Sequence, residues 1–227
     1  MFTPPTQLVA VVPAHNEAEL LPRCLDALSR AAASVLVPVT IVVVLDACDD
    51  DTASVVPQGI EVVEIVARNV GAARAAGFAS VAAELGSDAW LTTTDADSTV
   101  ESGWFHNHLA HAAHADAAAG TVRVDAWPNH STAVQRLFHE QYAAAQGNST
   151  QKHVHGASLG IRADAYWSVG GFRPLAVGED QDLVDRLIAA GRPVAWADDL
   201  CVATSDRTDA RAGEGFAHHL RSLAVPS

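Results

Sequence analysis

Four short runs of apolar, largely β-branched residues recur through the first hundred positions, and each ends in polar residues. They are QLVAVVPA (7–14), VPVTIVVVLDA (37–47), GIEVVEIVA (59–67) and DAWLTTT (88–94). Runs of this length and composition read as buried strands. Between the first two, Leu20, Leu21, Cys24, Leu25 and Leu28 fall at helical spacing, with Asn16 as the expected N-cap. The Ala-rich stretch 69–86 is a second helix, expected to close at Gly86. CDDDTASVV opens a third segment that Asp or Thr can cap. Strand alternating with helix predicts an α/β domain: a mostly parallel sheet flanked by helices. Such sheets bind ligands outside the carboxyl ends of their strands. The polar residues collect there: His15, Asn16 and Glu17 after the first run, Asp46 after the second, Arg68 and Asn69 after the third, Asp95 and Asp97 after the fourth.

Beyond residue 100 the pattern changes. WFHNHLAHAAHADAAAG reads as a helix whose histidines 106, 108, 111 and 114 spread over more than one face, which suits a solvated surface better than a metal site. GTVRVDAW reads as a strand and STAVQRLFHEQYAAAQG as a helix. HGASLGIRADAYWSVGGF reads as strand, turn and short helix. GEDQDLVDRLIAAG starts a helix on acidic residues, where carboxylates meet the positive end of the helix dipole. RPVAWADDLCVATS is a last strand.

The 227 residues suffice for one sizeable core. A net charge of −13, with Lys152 the single lysine, argues against a nucleic-acid partner and against electrostatic attachment to anionic lipid. Three cysteines without C-x-x-C spacing give neither a disulfide framework nor a zinc site, so a reducing, cytoplasmic setting is expected, with association beside a membrane left open. The N-terminus has no basic segment followed by a full apolar one, and no apolar run reaches membrane-spanning length.

Taken in order, six stretches resemble the glycosyltransferase family 2 enzymes, whose GT-A-type fold is a Rossmann-like, single-domain nucleotide-sugar architecture. VVPAHNEAELLPRCLDAL resembles the family's opening strand and P-x-x-N-E turn. VVLDACDDDT aligns with V-V-D-D-G-S-x-D-x-T, and ARNVGAARAAGF with Asn-x-Gly-x-x-x-Ala. TTTDADS stands where the family keeps Asp-x-Asp. GASLGIRADAYWSVGGF and GEDQDLVDRLIAAG resemble the strand, helix and acidic motif around its catalytic helix. The resemblance implies inverting transfer of a single sugar from a UDP-, GDP- or dTDP-linked donor to an acceptor hydroxyl, on a small molecule or a lipid carrier, with Mn²⁺ or Mg²⁺ as cofactor. Residues 1–100 would form the nucleotide-sugar-binding half and 101–227 the acceptor-binding half. A hard cation held by one or two carboxylates and by the phosphates would neutralise the departing diphosphate. Asp97 is the implied metal ligand, and Asp95 faces the ribose or a metal-bound water. Pro13, Ala14, Asn16 and Glu17 form the nucleoside turn, Asp46 meets the base, and Asn69, Gly71 and Ala96 complete the donor pocket. Arg68 and Arg74 offset phosphate charge, with Arg74 as a plain solvated helix residue the open alternative. Asp180 is the implied general base, with Glu179 beside it. His218 or His219 would be a further metal ligand, and 203–216 a loop closing over the nucleotide. Leu45 replaces the family's first Asp, and Ala47-Cys48 its Gly-Ser. A Gln-x-x-Arg-Trp signature of polymerising members is missing.

Three other readings stay open on sequence. D-A-D-S-T fits the D-x-D-x-T of haloacid-dehalogenase-type phosphatases, though three strands precede it and only one lysine could meet a phosphoryl group. GASLG fits G-x-S-x-G, which would make Ser158 a hydrolase nucleophile with Asp180 or Asp182 and a late histidine. A nucleotide-sugar-binding domain without turnover would keep the same acidic residues.

Overall fold

The structure is a computed structural model that describes residues 2–146 and 154–207. Its strands are β1 (Leu8–Ala14), β2 (Val39–Asp46), β3 (Glu61–Ile65), β4 (Trp90–Thr93), β5 (Ala117–Arg123), β6 (Leu159–Arg162) and β7 (Val194–Ala203). They form one sheet in the order β3-β2-β1-β4-β6-β5-β7. β1 runs parallel to both β2 and β4, and β2 parallel to β3. β6 is antiparallel to β4 and β5, while β5 and β7 are parallel. This is the mostly parallel α/β sheet that the first hundred residues predict. From β1 the chain moves outward to β2 and β3, then returns to the other side of β1 as β4. The loops leaving β1 and β4 therefore diverge, which opens a crevice at their carboxyl ends.

Side chains alternate across each strand, so both faces of the sheet are buried. Leu8, Ala10 and Val12 pack in one layer with Leu21, Leu25 and Leu28 of α1 (Leu21–Ala32) and with Trp104 and Phe105 of α3 (Trp104–Ala112). Val9 and Val11 pack in the other with Phe78 of α2 (Val70–Val81), Tyr166 of α5 (Ala163–Ser168) and Leu183 and Leu187 of α6 (Glu179–Ala189). A sixth helix, α4 (Thr132–Gln146), follows β5. The small residues of α2 let it lie flat on the sheet. A Cβ built on Gly77 would stand 2.6 Å from Val11 Cγ1 and 2.8 Å from Val44 Cγ2, inside van der Waals contact.

Four local expectations are corrected. α1 starts at Leu21 rather than just after Asn16, because Pro22 sits in its first turn, where a fixed φ and a missing N–H cost nothing. α2 closes in a 3₁₀ turn at Ala82–Glu84, ahead of Gly86. β5 begins at Ala117, three residues before the expected start, because its alanines gain from burial what they lack in strand preference. The histidines of α3 are not uniformly solvated. His106 and His114 are exposed, but His108 is fully buried between Trp90, whose Nε1 donates to His108 Nδ1 at 3.2 Å, and the edge of Trp104. Burial lowers its pKa to about 3, so it is a neutral core side chain.

Candidate active site

The loops after β1, β2 and β3 are built on one another. Asp46, at the end of β2, is buried, and its carboxylate accepts the amides of Ala67 and Arg68 on Oδ1, both at 2.7 Å, and of Asn69 on Oδ2 at 2.8 Å. Its main-chain oxygen lies 2.6 Å from His15 Nδ1. The Asn16 side chain pairs twice with Asp49, donating Nδ2 to the Asp49 carboxylate and accepting the Asp49 amide at 2.8 Å. The amide of Glu17 donates to Thr52 Oγ1 at 2.7 Å. Pro13 and Ala14 end β1 beside Val44 and Leu45 of β2, and Cys48 Sγ donates to the Ala14 carbonyl at 3.4 Å.

Among the described residues, three non-glycine residues hold left-handed backbone: Asn16 (φ 54°), Ala47 (φ 52°) and Arg68 (φ 48°), one at each consecutive strand exit. Left-handed backbone costs an alanine roughly 1–2 kcal/mol. Ala47 is the position at which the resembled family carries glycine, and here an alanine holds the left-handed backbone that glycine adopts most readily. Strain repeated at neighbouring exits marks a place where the surrounding structure imposes shape.

The second part of the site is acidic and lies after β4. Asp95 and Glu179, the first residue of α6, meet on one guanidinium. Arg74 of α2 is 3% exposed; Nη2 donates to Asp95 Oδ1 at 2.7 Å, Nη1 bonds Glu179 Oε1, and Nε donates to Thr93 Oγ1 at 3.2 Å. The guanidinium also lies over the Phe172 ring, 5.6 Å from its centre. The solvated reading of Arg74 is therefore overturned. Burial works against its charge, but Asp95 and Glu179 outweigh that and hold it protonated. Burial pushes the Glu179 carboxyl up, with Arg74 opposing. A Cβ on Gly156 would collide with the Arg74 guanidinium, so a side chain there would have to push the arginine out of its ion pairs. The Gly156 amide in turn donates to Asp180 Oδ2 at 2.7 Å, and the Gln181 amide to Asp180 Oδ1 at 2.7 Å. Asp180 is half-buried, fixed by two amides at the start of α6.

Asp97 is held differently. Its Oδ2 accepts Ser205 Oγ at 2.7 Å and Arg207 Nη2 at 3.0 Å; its Oδ1 faces the hydroxyls of Ser98 at 3.3 Å and Thr204 at 3.4 Å. Arg207 Nη1 bonds Glu17, so one guanidinium spans the exits of β1 and β4. Burial pushes the Asp97 carboxyl up; Arg207 opposes this and Asp95 adds to it. Ala96, between the two aspartates, is buried.

The remaining expected residues fall around this centre. Asn69 caps α2 by accepting the Ala72 amide at 2.8 Å, and its Nδ2 donates to the Leu175 carbonyl at 2.8 Å. Gly71 lies against the Arg173 carbonyl, where a Cβ would clash. Arg68 is exposed at the β3 exit. His218 and His219 lie outside the described residues. Sequence reading missed Thr93 and Gly156; Arg207 falls in the 203–216 stretch expected to close over the nucleotide, of which 208–216 lie outside the described residues. Cys24, whose Sγ donates to the Asp95 carbonyl at 3.4 Å, is buried, and burial pushes its thiol up and leaves it unreactive.

The hydrolase reading fails on Ser158. It is fully buried, its Oγ donates to the Leu200 carbonyl at 2.7 Å, and Trp104 Nε1 donates to it at 3.3 Å. A nucleophile elbow runs from strand to turn to helix; here a 3₁₀ turn at Gly156–Ser158 leads into strand β6.

Among the described residues no three His, Cys, Asp or Glu side chains converge as a ready-made metal cage. The donor set still fits a hard cation in another way. Such ions are commonly held by one or two carboxylates with the remaining ligands from phosphate and water, and Asp97 and Glu17 already face each other across a positive group.

An α/β sheet with an acidic crevice at the β1/β4 switch point is the architecture of nucleotide-sugar transferases of the GT-A type. Residues 4–221 match the profile of Glycosyltransferase like family 2, and the chain belongs to that family. No curated sequence is significantly similar to it. Among solved structures it resembles S. aureus TarS 1–349 in complex with UDP-GlcNAc, at 13% identity and a TM-score of 0.65 over 96% of this chain. It also resembles the mannosyltransferase PcManGT of Pyrobaculum calidifontis in complex with GDP-Man and Mn²⁺, at 18% identity and a TM-score of 0.68 over 96% of this chain. A third is glucosyl-3-phosphoglycerate synthase of Mycobacterium tuberculosis in complex with Mn²⁺, UDP and phosphoglyceric acid, at 17% identity and a TM-score of 0.62, covering 97% of this chain and 80% of that one. The chain spans 65% of TarS 1–349 and 60% of PcManGT, less than two thirds of either. No helix among the described residues is long and apolar enough to cross a membrane.

Proposed function

We propose that the protein moves a single sugar from a nucleotide-diphosphate donor to an acceptor hydroxyl with inversion at the anomeric carbon, using Mn²⁺ or Mg²⁺. The observation that carries this reading is the joining of Asp95, through Arg74, to the helix start that bears Asp180. It sets a candidate general base beside a candidate diphosphate site. The nucleotide complexes of the structural relatives, two of them with Mn²⁺, support the donor class and the cation.

In this reading the interlocked exits of β1, β2 and β3 cradle the nucleoside. Pro13–Glu17 form one wall, and Asp46 acts by fixing the amides of residues 67–69. Asp97, with Asp95 beside it, would hold the cation, which would supply positive charge to the departing diphosphate. Asp180 takes the proton of the acceptor hydroxyl on a carboxylate oxygen as the new oxygen–carbon bond forms and the anomeric carbon–phosphate oxygen bond breaks. Its two amide donors fix the direction of the carboxylate before the acceptor arrives. Glu179, committed to Arg74, is a positioning residue. Residues 1–100 supply the donor walls; α6 belongs to the acceptor half.

The test is a calorimetric titration of UDP-, GDP- and dTDP-linked sugars with and without Mn²⁺. One donor class should bind at micromolar levels, and binding should vanish with EDTA and in Asp97→Ala. Asp180→Asn should keep donor binding and lose transfer. A wild-type protein that binds none of the donors in the presence of Mn²⁺ would refute the reading.

A further inference from the structure

Arg207 is unusually placed for a side chain near the end of a strand. The segment that carries it is pinned from several sides. Ala203 exchanges main-chain hydrogen bonds with Thr99, at 2.8 and 3.0 Å, and the Thr204 amide donates to the Arg123 carbonyl at 2.8 Å. The Asp206 carboxylate is buried and accepts both the amide and the side chain of Asn129 at 2.8 Å. Arg207 thus projects from a fixed arm. Its guanidinium reaches the point where the β1 and β4 loops diverge and contacts a different carboxylate with each terminal nitrogen: Glu17 from β1 and Asp97 from β4. Those carboxylates are 5% and 8% exposed, so their charges are met by this group rather than by water.

A carboxylate oxygen that accepts a guanidinium N–H has fewer lone pairs to offer a cation, and two positive groups sharing that oxygen repel each other. We propose that Arg207 is a resident counter-cation of the donor seat: it neutralises Glu17 and Asp97 in the free protein and must leave Asp97 when the metal-bound donor enters. This rests on the function proposed above and adds an order to it. The free metal competes with a tethered charge and binds poorly. A metal that arrives with a diphosphate brings phosphate oxygens to which the displaced guanidinium can turn, a pairing that guanidinium geometry favours. Arg207 thereby couples cation binding to nucleotide binding, and by linkage the coupling acts equally in both directions.

The experiment is a titration of the full chain with Mn²⁺ alone, following the free-ion electron paramagnetic resonance signal, in wild type, Arg207→Gln, Arg207→Lys and Arg207→Gln/Asp97→Asn. Removing a unit charge a few ångströms from the seat should tighten Mn²⁺ binding by about tenfold or more in Arg207→Gln. The gain should be lost in the double variant and be smaller in Arg207→Lys, whose single ammonium cannot fork across two carboxylates. The added nucleoside diphosphate should then enhance Mn²⁺ binding less in Arg207→Gln than in wild type. Thermal melts establish that each variant is folded, and Arg207→Lys carries the test if Arg207→Gln is not. Folded variants that bind Mn²⁺ no better than wild type, while wild type binds Mn²⁺ with nucleotide, would overturn this inference and leave the proposed function standing. Wild type that binds no nucleotide with Mn²⁺ would overturn both.

Discussion

Arg74→Met separates two roles for this residue, the phosphate partner expected from sequence and the internal staple that its buried ion pairs form. The methionine fills most of the arginine's volume, so the loss is chiefly of charge and hydrogen bonds. Arg74 is 3% exposed and bonds Asp95, Glu179 and Thr93. Breaking a buried pair by removing one partner costs about 3–5 kcal/mol. Asp95 is 34% exposed and its share is discounted for solvent screening, so Glu179, 8% exposed, carries most of the penalty. The cost also has a pH signature. Without Arg74, the main opposition to the burial that already pushes the Glu179 carboxyl above its ordinary value of 4.5 is gone, and a main-chain hydrogen bond is left to counter it. A raised folded pKa means stability that is present below 4.5 and lost as pH climbs through the folded value. Urea unfolding should therefore show Arg74→Met less stable than wild type by about 3–5 kcal/mol at pH 7, with the gap narrowing toward pH 5. Adding Glu179→Gln removes the stranded charge and should recover about 1–3 kcal/mol. The staple is refuted if Arg74→Met loses under about 1 kcal/mol, shows no pH trend, and instead loses affinity for nucleotide.

Three further outcomes follow from the same geometry. Ala47→Gly relieves a left-handed alanine (φ 52°) and should raise unfolding stability by about 0.5–1 kcal/mol after glycine's extra unfolded-chain entropy is subtracted; a loss would mean that the methyl group packs usefully. Asp46→Asn puts a donor among three backbone donors and should cost about 2–4 kcal/mol; a stable variant with altered base preference would return Asp46 to the nucleobase. His108, lowered from 6.5 to about 3 by burial, contributes stability that is present above pH 6.5 and lost as pH falls toward 3. Between pH 7 and pH 5 wild type should lose about 2 kcal/mol more than His108→Gln, and parallel pH curves for the two proteins would contradict the burial of a neutral ring.

The parts of this fold that were legible in sequence are those whose cause is local. β1, β2 and β4 announce themselves because residues buried on both faces form short apolar runs, and the polar residues at their ends mark the side of the sheet where a ligand can reach them. Asp95 and Asp97 stand out for the same reason, whereas Asp180, at the start of α6, is picked out by the resemblance of GEDQD to the family's acidic motif. What stayed hidden depends on partners far away in the chain. Arg74 sits in an Ala-rich helix like any solvated arginine, and only Glu179, 105 positions later, turns it inward. His108 shares a helix with exposed histidines, and the two tryptophans that bury it come from β4 and from the previous turn. The left-handed Ala47 is invisible in composition and could be suspected only because the resembled family has glycine there.

The same distinction orders the chemistry of the crevice. Each of the two site arginines joins carboxylates from separate elements: Arg74 links the β4 exit to α6, and Arg207 links the β1 exit to the β4 exit. Their settings differ. Arg74 is 3% exposed, lies over an aromatic ring and touches a glycine that leaves room for nothing else, so moving it would break the packing of the whole acidic wall. Arg207 is 26% exposed and approaches from the rim. Under the proposed function, a site that takes up and releases a charged donor needs one guanidinium that stays and can tolerate one that leaves. The burial of the two side chains fits those parts: Arg74 would keep Asp95 and Glu179 in place, while Arg207 would give up Asp97.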